Sequence, residues 1–188
     1  MNRADESSED LMARVARGSD AALSALIRRH ASPLLTFLQR MIGDRQRAED
    51  LFQEVFLAVW THRHQYRYPG RFRSWLFGIA WNQCRVEFRR GRLRTVTLDD
   101  QPALDPPADG PSPAQAAIAD ETAALVAGAV AALPAQQRTV VVLRIWNGLP
   151  YGEIAEILGL QTVTVRSHML HALAAMRRQL QPRLEGLG

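Results

Sequence analysis

Lysine is missing from this 188-residue chain, so all 23 basic side chains are arginine. A guanidinium stays charged and offers a planar fork of donors, which suits carboxylates and phosphates. Cysteine is nearly missing too. Cys84 stands alone, which excludes an intrachain disulfide and a cysteine-based zinc site. No apolar run reaches the ~18 residues of a membrane-spanning helix, and no signal-peptide or lipidation motif occurs, so a soluble, cytoplasmic protein without membrane insertion is expected. There is no glycine-rich phosphate loop and no nucleophile motif. The chain is therefore expected to be no enzyme, with no catalytic residue and no cofactor. His168 and His171 are three apart, but without a third ligand they read as polar surface residues rather than a metal site.

Helical periodicity is what the chain does have. Its hydrophobic content of 47% supports a packed core, and its net charge of +4 is compatible with a polyanionic partner. Residues 1–8 are polar and read as frayed. Leu11 and Val15, then Ala22, Leu23, Leu26 and Ile27, predict two helices broken at Gly18-Ser19-Asp20, with Ser19 or Asp20 as a cap. Pro33 reads as the start of another helix carrying Leu34, Leu35, Phe37, Leu38, Met41 and Ile42, closed by Gly43-Asp44. The next helix has a stripe of Leu51, Phe52, Val55, Phe56 and Val59, with Trp60 beside it. On it, Glu49, Asp50, Gln53 and Glu54 fall at i, i+1, i+4 and i+5 and share a different, acidic face.

A turn at Pro69-Gly70 separates that helix from a basic segment. Between residues 63 and 94 nine arginines stand against one acid, Glu87, interleaved with Tyr66, Tyr68, Phe72, Trp75, Phe77 and Trp81. Arginines track phosphates, and aromatic faces stack unpaired bases at roughly 1–3 kcal/mol per base. A small helical domain also needs large apolar residues, so Trp75, Phe77 and Trp81 read equally as core. Residues 95–118 change character, with five prolines, four aspartates and no basic residue. Such a stretch cannot bury enough apolar surface to fold alone and reads as a flexible linker. An alanine-rich helix starting at Ala119 (Ala123, Leu125, Val126, Val130, Leu133) follows it.

Residues 133–178 read as helix, break, short helix, tight turn, long helix. Pro134 suits a first helical turn, Asn147-Gly148 a helix end, and Gly159 the corner after Ile154, Ala155, Ile157 and Leu158. The β-branched run Val140-Val141-Val142 would equally suit a buried strand; the signals on both sides favour helix. Thr162 or Thr164 can cap a last helix with an inner stripe of Val165, Met169, Ala172, Leu173, Met176 and Leu180. Its opposite face presents Arg166, Ser167, Leu170 and His171. Two short helices joined through a glycine corner form a helix-turn-helix pattern, which reads as DNA-binding or as an ordinary helical hairpin.

These segments resemble a known family. Residues 133–180 are similar to region 4 of bacterial sigma factors, notably the extracytoplasmic-function (ECF) group, although LuxR-type regulators carry a related helix-turn-helix. Ala48-Glu49-Asp50-Leu51 and Gln53-Glu54-Val55-Phe56 resemble region 2.2, which implies that Glu49, Asp50, Gln53 and Glu54 dock on the β′ clamp of core RNA polymerase. Trp75-Leu76, Ile79-Ala80, Asn82 and Arg89-Arg90 resemble regions 2.3 and 2.4; Glu87 stands where aspartate is commoner. That likeness implies −10 promoter contacts by Tyr66, Tyr68, Arg71, Arg73, Arg85, Arg89 and Arg90. Region 4 would contact the polymerase β flap and read the −35 element through Thr164, Arg166, Ser167, His168, Leu170 and His171. The acidic linker corresponds to one that threads the polymerase cleft, and reads equally as a solubilising spacer.

The expectation is thus an all-α fold of two small helical domains, residues 9–94 and 119–182, joined by a flexible acidic linker at 95–118. The implied function is an alternative sigma factor bound to core polymerase and promoter DNA, and held in check by an anti-sigma factor or another protein regulator. A stand-alone helix-turn-helix regulator and an adaptor that mimics a sigma factor are the other readings.

Overall fold

The structure, a computed structural model, describes residues 6–67, 70–94 and 113–184. It is all-α, with no strand among the described residues. The N-terminal unit comprises α1 (Ser8–Ala16), α2 (Asp20–Ile42), α3 (Arg45–Thr61), a 3₁₀ turn (Arg63–Gln65) and α4 (Phe72–Arg94). The C-terminal unit comprises α5 (Pro113–Ala131), α6 (Ala135–Val141), a π turn (Val142–Trp146), α7 (Tyr151–Leu158) and α8 (Thr162–Leu184). No described helix is long and apolar enough to cross a membrane.

Local signals set most helix ends. Ser19 caps α2 by accepting from the Ala22 N–H, and Asp44 caps α3 by accepting from the Arg47 N–H at 2.7 Å. Gly43 and Gly159 close α2 and α7 in the left-handed conformation. Order also reaches into the stretch read as frayed: Ser7 caps α1, and Arg14 reaches back to Glu6. Helix α8 begins without a threonine cap. The Val165 N–H bonds to the Gln161 carbonyl, which puts Gln161 in the cap position and Thr162 in the first turn.

Pro33 departs from expectation. It lies inside a 23-residue α2 instead of opening a new helix. Proline in a helix interior costs about 3 kcal/mol. That is outweighed here because Ala22, Leu26, His30, Leu34, Phe37, Leu38 and Met41 form one buried stripe running through it. Helix α5 likewise begins at Pro113, six residues before the expected start, with proline in its first turn. The Val140–Val142 run is helical, passing from α6 into the π turn.

In the N-terminal unit α2 packs between α1 and α3, and α4 closes against α3, α2 and α1. Phe37 and Phe77 meet edge to face at 5.4 Å, and Cys84 is buried, its thiol pushed up to about 12 by desolvation. In the C-terminal unit α8 lies on α5, α6 and α7. One continuous cluster of buried residues then runs from Leu11 to Ala172, joining the two units.

His30 sits in this core at 8% exposure, against the Phe72 ring and the Ser8 hydroxyl. Burial, then the nearby Arg29 and Arg73 charges, depress its pKa from 6.5 to about 4, with Glu9 opposing weakly. Between those two values the unfolded chain takes up a proton that the folded chain refuses. Stability contributed by neutral His30 is therefore present above pH 6.5 and lost as pH falls towards 4, by up to about 1.4 kcal/mol per pH unit. Urea denaturation at pH 6.5 and 5.0 should show this slope, and His30→Gln should flatten it.

Candidate functional site

Three surfaces gather the residues singled out by sequence. The first is on α3. Helical spacing turns Leu51, Val55 and Val59 inward, leaving Glu49, Asp50 and Gln53 exposed and Glu54 half-exposed. With Arg47 and Leu57, three of these residues line a shallow groove: Asp50, Gln53 and Glu54. Arg47 organises it, reaching Glu54 at 3.1 Å, Asp50 at 3.7 Å and Glu87 of α4 at 2.9 Å. The hydrogen bond to Glu87 holds this guanidinium well above the usual arginine range, so it stays charged and ties α3 to α4. Arg45 pairs with Glu49 at 3.0 Å. Leu57 adds an apolar side chain left 65% exposed at the groove edge.

The second surface surrounds the start of α4. Glu9 of α1 accepts from the Phe72 N–H at 3.0 Å and pins the helix start. Tyr66 is half-buried, its ring 5.4 Å from Trp75 and 6.2 Å from Phe72, and its hydroxyl donates to the Gly70 carbonyl. At Gly70 a Cβ would lie 2.6 Å from the Arg67 carbonyl oxygen, so any side chain there would force the backbone to shift. Phe72 is fully buried and belongs to the core, as do Phe77 and Trp81. Trp75 is only partly buried. Arg85, Arg89 and Arg90 are exposed along α4; Arg90 approaches Glu87 at 4.0 Å. Tyr68 lies outside the described residues.

Arg71 and Arg73 are already engaged. Arg71 donates to Glu153 of α7 at 2.8 Å, and Ser74 donates to the other oxygen of the same carboxylate at 3.2 Å. Arg73 donates to the Asn147 carbonyl. The C-terminal unit thus rests on this surface. Asn147, buried at 4% exposure, also donates to the Pro33 carbonyl at 2.8 Å. Only Gly148 of the Asn147-Gly148 pair adopts the left-handed conformation; Asn147 keeps right-handed angles and lends its side chain to α2.

The third surface is α8. Val165, Met169 and Ala172 are buried against the unit, while Arg166, Ser167, Leu170 and His171 are exposed and Thr164 and His168 intermediate. Leu173, expected in the stripe, is 49% exposed, at the edge of the face that Val165, Met169 and Ala172 bury. Arg166 lies 5.9 Å from the Tyr151 ring centre on α7, joining the two helices of the motif. Gly159 makes the corner between them at φ +65°. Among the described residues no group of three His, Cys, Asp or Glu side chains could hold a metal.

Comparison with known proteins shows the family to which the chain belongs. Residues 26–94 match the family Sigma-70 region 2, and residues 124–176 match Sigma-70, region 4. The RNA polymerase sigma-H factor of Pseudomonas aeruginosa is 32% identical over 95% of this chain and 96% of its own. The ECF RNA polymerase sigma factor SigL of Mycobacterium tuberculosis is 35% identical, covering 90% of this chain and 97% of its own.

The chain belongs to the ECF sigma factors of RNA polymerase.

It is accordingly an alternative sigma factor, one that directs RNA polymerase to promoters. Its fold is shared with the sigma factor RpoE in a co-crystal with the anti-sigma factor NepR from Bartonella quintana, at a TM-score of 0.69 and 22% identity over 84% of this chain and 96% of that one. Residues that sequence reasoning did not single out now stand beside the expected ones. Leu57 lies one turn beyond the acidic set, a position helical spacing could have flagged. Ser74, Arg138 and Glu153 carried no signal in the sequence, and Asn147 carried only that of a helix end, because each acquires its role from a partner far along the chain.

Proposed function

We propose that residues 9–94 dock this sigma factor on core polymerase and read the −10 element, that residues 95–118 tether, and that residues 119–182 read the −35 element and meet the β flap. On this reading the groove formed by Asp50, Gln53, Glu54 and Leu57, with Glu49 beside it, meets a basic surface of the β′ clamp. Tyr66, Tyr68, Arg71, Arg73, Arg85, Arg89 and Arg90 contact the −10 strand, and Thr164, Arg166, Ser167, His168, Leu170 and His171 lie along the −35 major groove. The factor works in the cytoplasm and opens promoters through binding free energy rather than bond-making chemistry of its own. A protein antagonist belongs to the same reading, supported by the co-crystal of the Bartonella sigma factor with its anti-sigma factor.

The observation that carries the reading is an exposed acidic face and a separate arginine-rich, aromatic surface on one chain of a polymerase-directing family. Purified core polymerase plus this protein should yield discrete run-off transcripts on genomic templates. Transcripts no different from core alone would overturn it.

Arg166 is the strongest base-reading candidate, being exposed on α8 beside Ser167 and Leu170. Arg166→Ala is expected to cost about 1–3 kcal/mol of promoter binding and to relax preference at one −35 position. A binding series over single-base variants and salt checks this. A uniform loss across sequences, with the salt slope smaller by about one, would reassign the side chain to a phosphate.

A further inference from the structure

Glu153 makes an unusual partner for a promoter-facing surface. It belongs to α7, the first helix of the helix-turn-helix, yet it reaches α4 of the other unit with both carboxylate oxygens. One oxygen accepts from Arg71 at 2.8 Å and the other from the Ser74 hydroxyl at 3.2 Å. A guanidinium and a hydroxyl gripping two oxygens of one anion is the donor set that also holds a nucleic-acid phosphate. The Glu153 side chain is 16% exposed, whereas that of Arg71 remains 63% exposed at the rim. The anion is thus tucked in, and the cation has room to take a different partner.

We propose that Arg71 and Ser74 form a backbone-phosphate site for single-stranded promoter DNA, and that Glu153 occupies this site in cis, so that the free sigma factor masks part of its own −10 surface. This rests on the −10 reading of Arg71 given above.

Geometry requires the contact to break in use. Elements centred at −10 and −35 are separated by roughly 85 Å of duplex at about 3.4 Å per base pair. Helices α4 and α7, which touch here, cannot stay together while their units occupy both elements. Elsewhere the contact between the units uses arginines that have no carboxylate partner among the described residues. Arg138 crosses from α6 to donate to the Met41 carbonyl at 2.8 Å, and Arg40 of α2 stacks on the Trp146 ring at 4.0 Å. Neither has a carboxylate partner among the described ion pairs, and the Nε of each is buried without a hydrogen-bond partner among the described residues. Burial accordingly holds both guanidinium groups below the usual arginine range. Arg138 also donates to the Ala131 and Leu133 carbonyls, so these half-buried guanidinium groups are held by carbonyls and a ring and add no ion pair across the interface.

The test uses the full chain and a fluorescein-labelled, random-sequence single-stranded DNA 20-mer at low salt, since a phosphate contact needs no particular sequence. Glu153→Gln keeps the side chain's shape and removes its charge, and should tighten binding roughly threefold to tenfold. Arg71→Ala should weaken binding, and adding it to Glu153→Gln should abolish the gain. Loss of DNA binding in Arg71→Ala with no gain in Glu153→Gln would overturn the masking while sparing the −10 reading. If neither substitution changes binding, the −10 reading of Arg71 fails and the masking with it. Circular dichroism of each variant, matching that of the parent chain, excludes a folding defect as the cause.

Discussion

Replacing Asp50 and Glu54 together with arginine is expected to lower affinity for core RNA polymerase by more than about 100-fold and to abolish run-off transcription. Both carboxylates lie on the outward side of α3, half-exposed or more, around the groove that also holds Gln53 and Leu57. An interface complementary to that groove is basic, and like charges placed opposite one another cost several kcal/mol. The fold should survive. Both residues lie off the buried stripe, and the ion pairs they surrender are surface pairs worth at most about 1 kcal/mol each. Arg47 keeps its stronger anchor on Glu87 at 2.9 Å, so the tie between α3 and α4 persists. Surface-immobilised core polymerase would measure the loss directly, with thermal unfolding as the control. Core binding indistinguishable from that of the parent chain would remove the docking role from this face.

Phe77→Ala is expected to cost about 3–5 kcal/mol of folding stability. The ring is fully buried on α4 and meets Phe37 of α2 edge to face at 5.4 Å. Its removal leaves a cavity between two long helices whose backbones are held by other contacts, so collapse fills it only in part. Domains of this size have roughly 5–15 kcal/mol in hand, so the variant should unfold near physiological temperature or lose much of its denaturant resistance. Trp75→Ala should cost less, under about 2 kcal/mol, because that ring is partly exposed and packs on Tyr66 and Phe72 at the surface. Urea denaturation of the two variants side by side tests the ordering. Equal losses would mean that Trp75 is as much a core residue as Phe77.

Much of the fold was legible before any coordinates, because helical signals are local. Ser19, Asp44, Gly43 and Gly159 act on backbone groups within four residues of themselves, the first two starting helices and the glycines ending them. The acidic face of α3 and the exposed face of α8 follow from spacing alone, since residues three and four apart share a side of a helix. Periodicity faltered where neighbours decide. Pro33 was absorbed into α2 because one apolar stripe continues across it, and Leu173 stayed exposed because it lies at the edge of the buried face of α8. Phe72, which as a bare sequence suits either base stacking or core, became core through its contacts with His30, Tyr66 and Trp75.

The sequence by itself determined the helices, their faces and the two family motifs. Tertiary structure alone decided what the arginines at the start of α4 hold. Arg71 finds its carboxylate 82 residues away, and Arg73 its carbonyl 74 residues away, on a unit whose approach no local pattern encodes. A charge in sequence has only a sign. Which opposite charge it meets depends on how two separately folded helical units come together, and that is set by the burial they share.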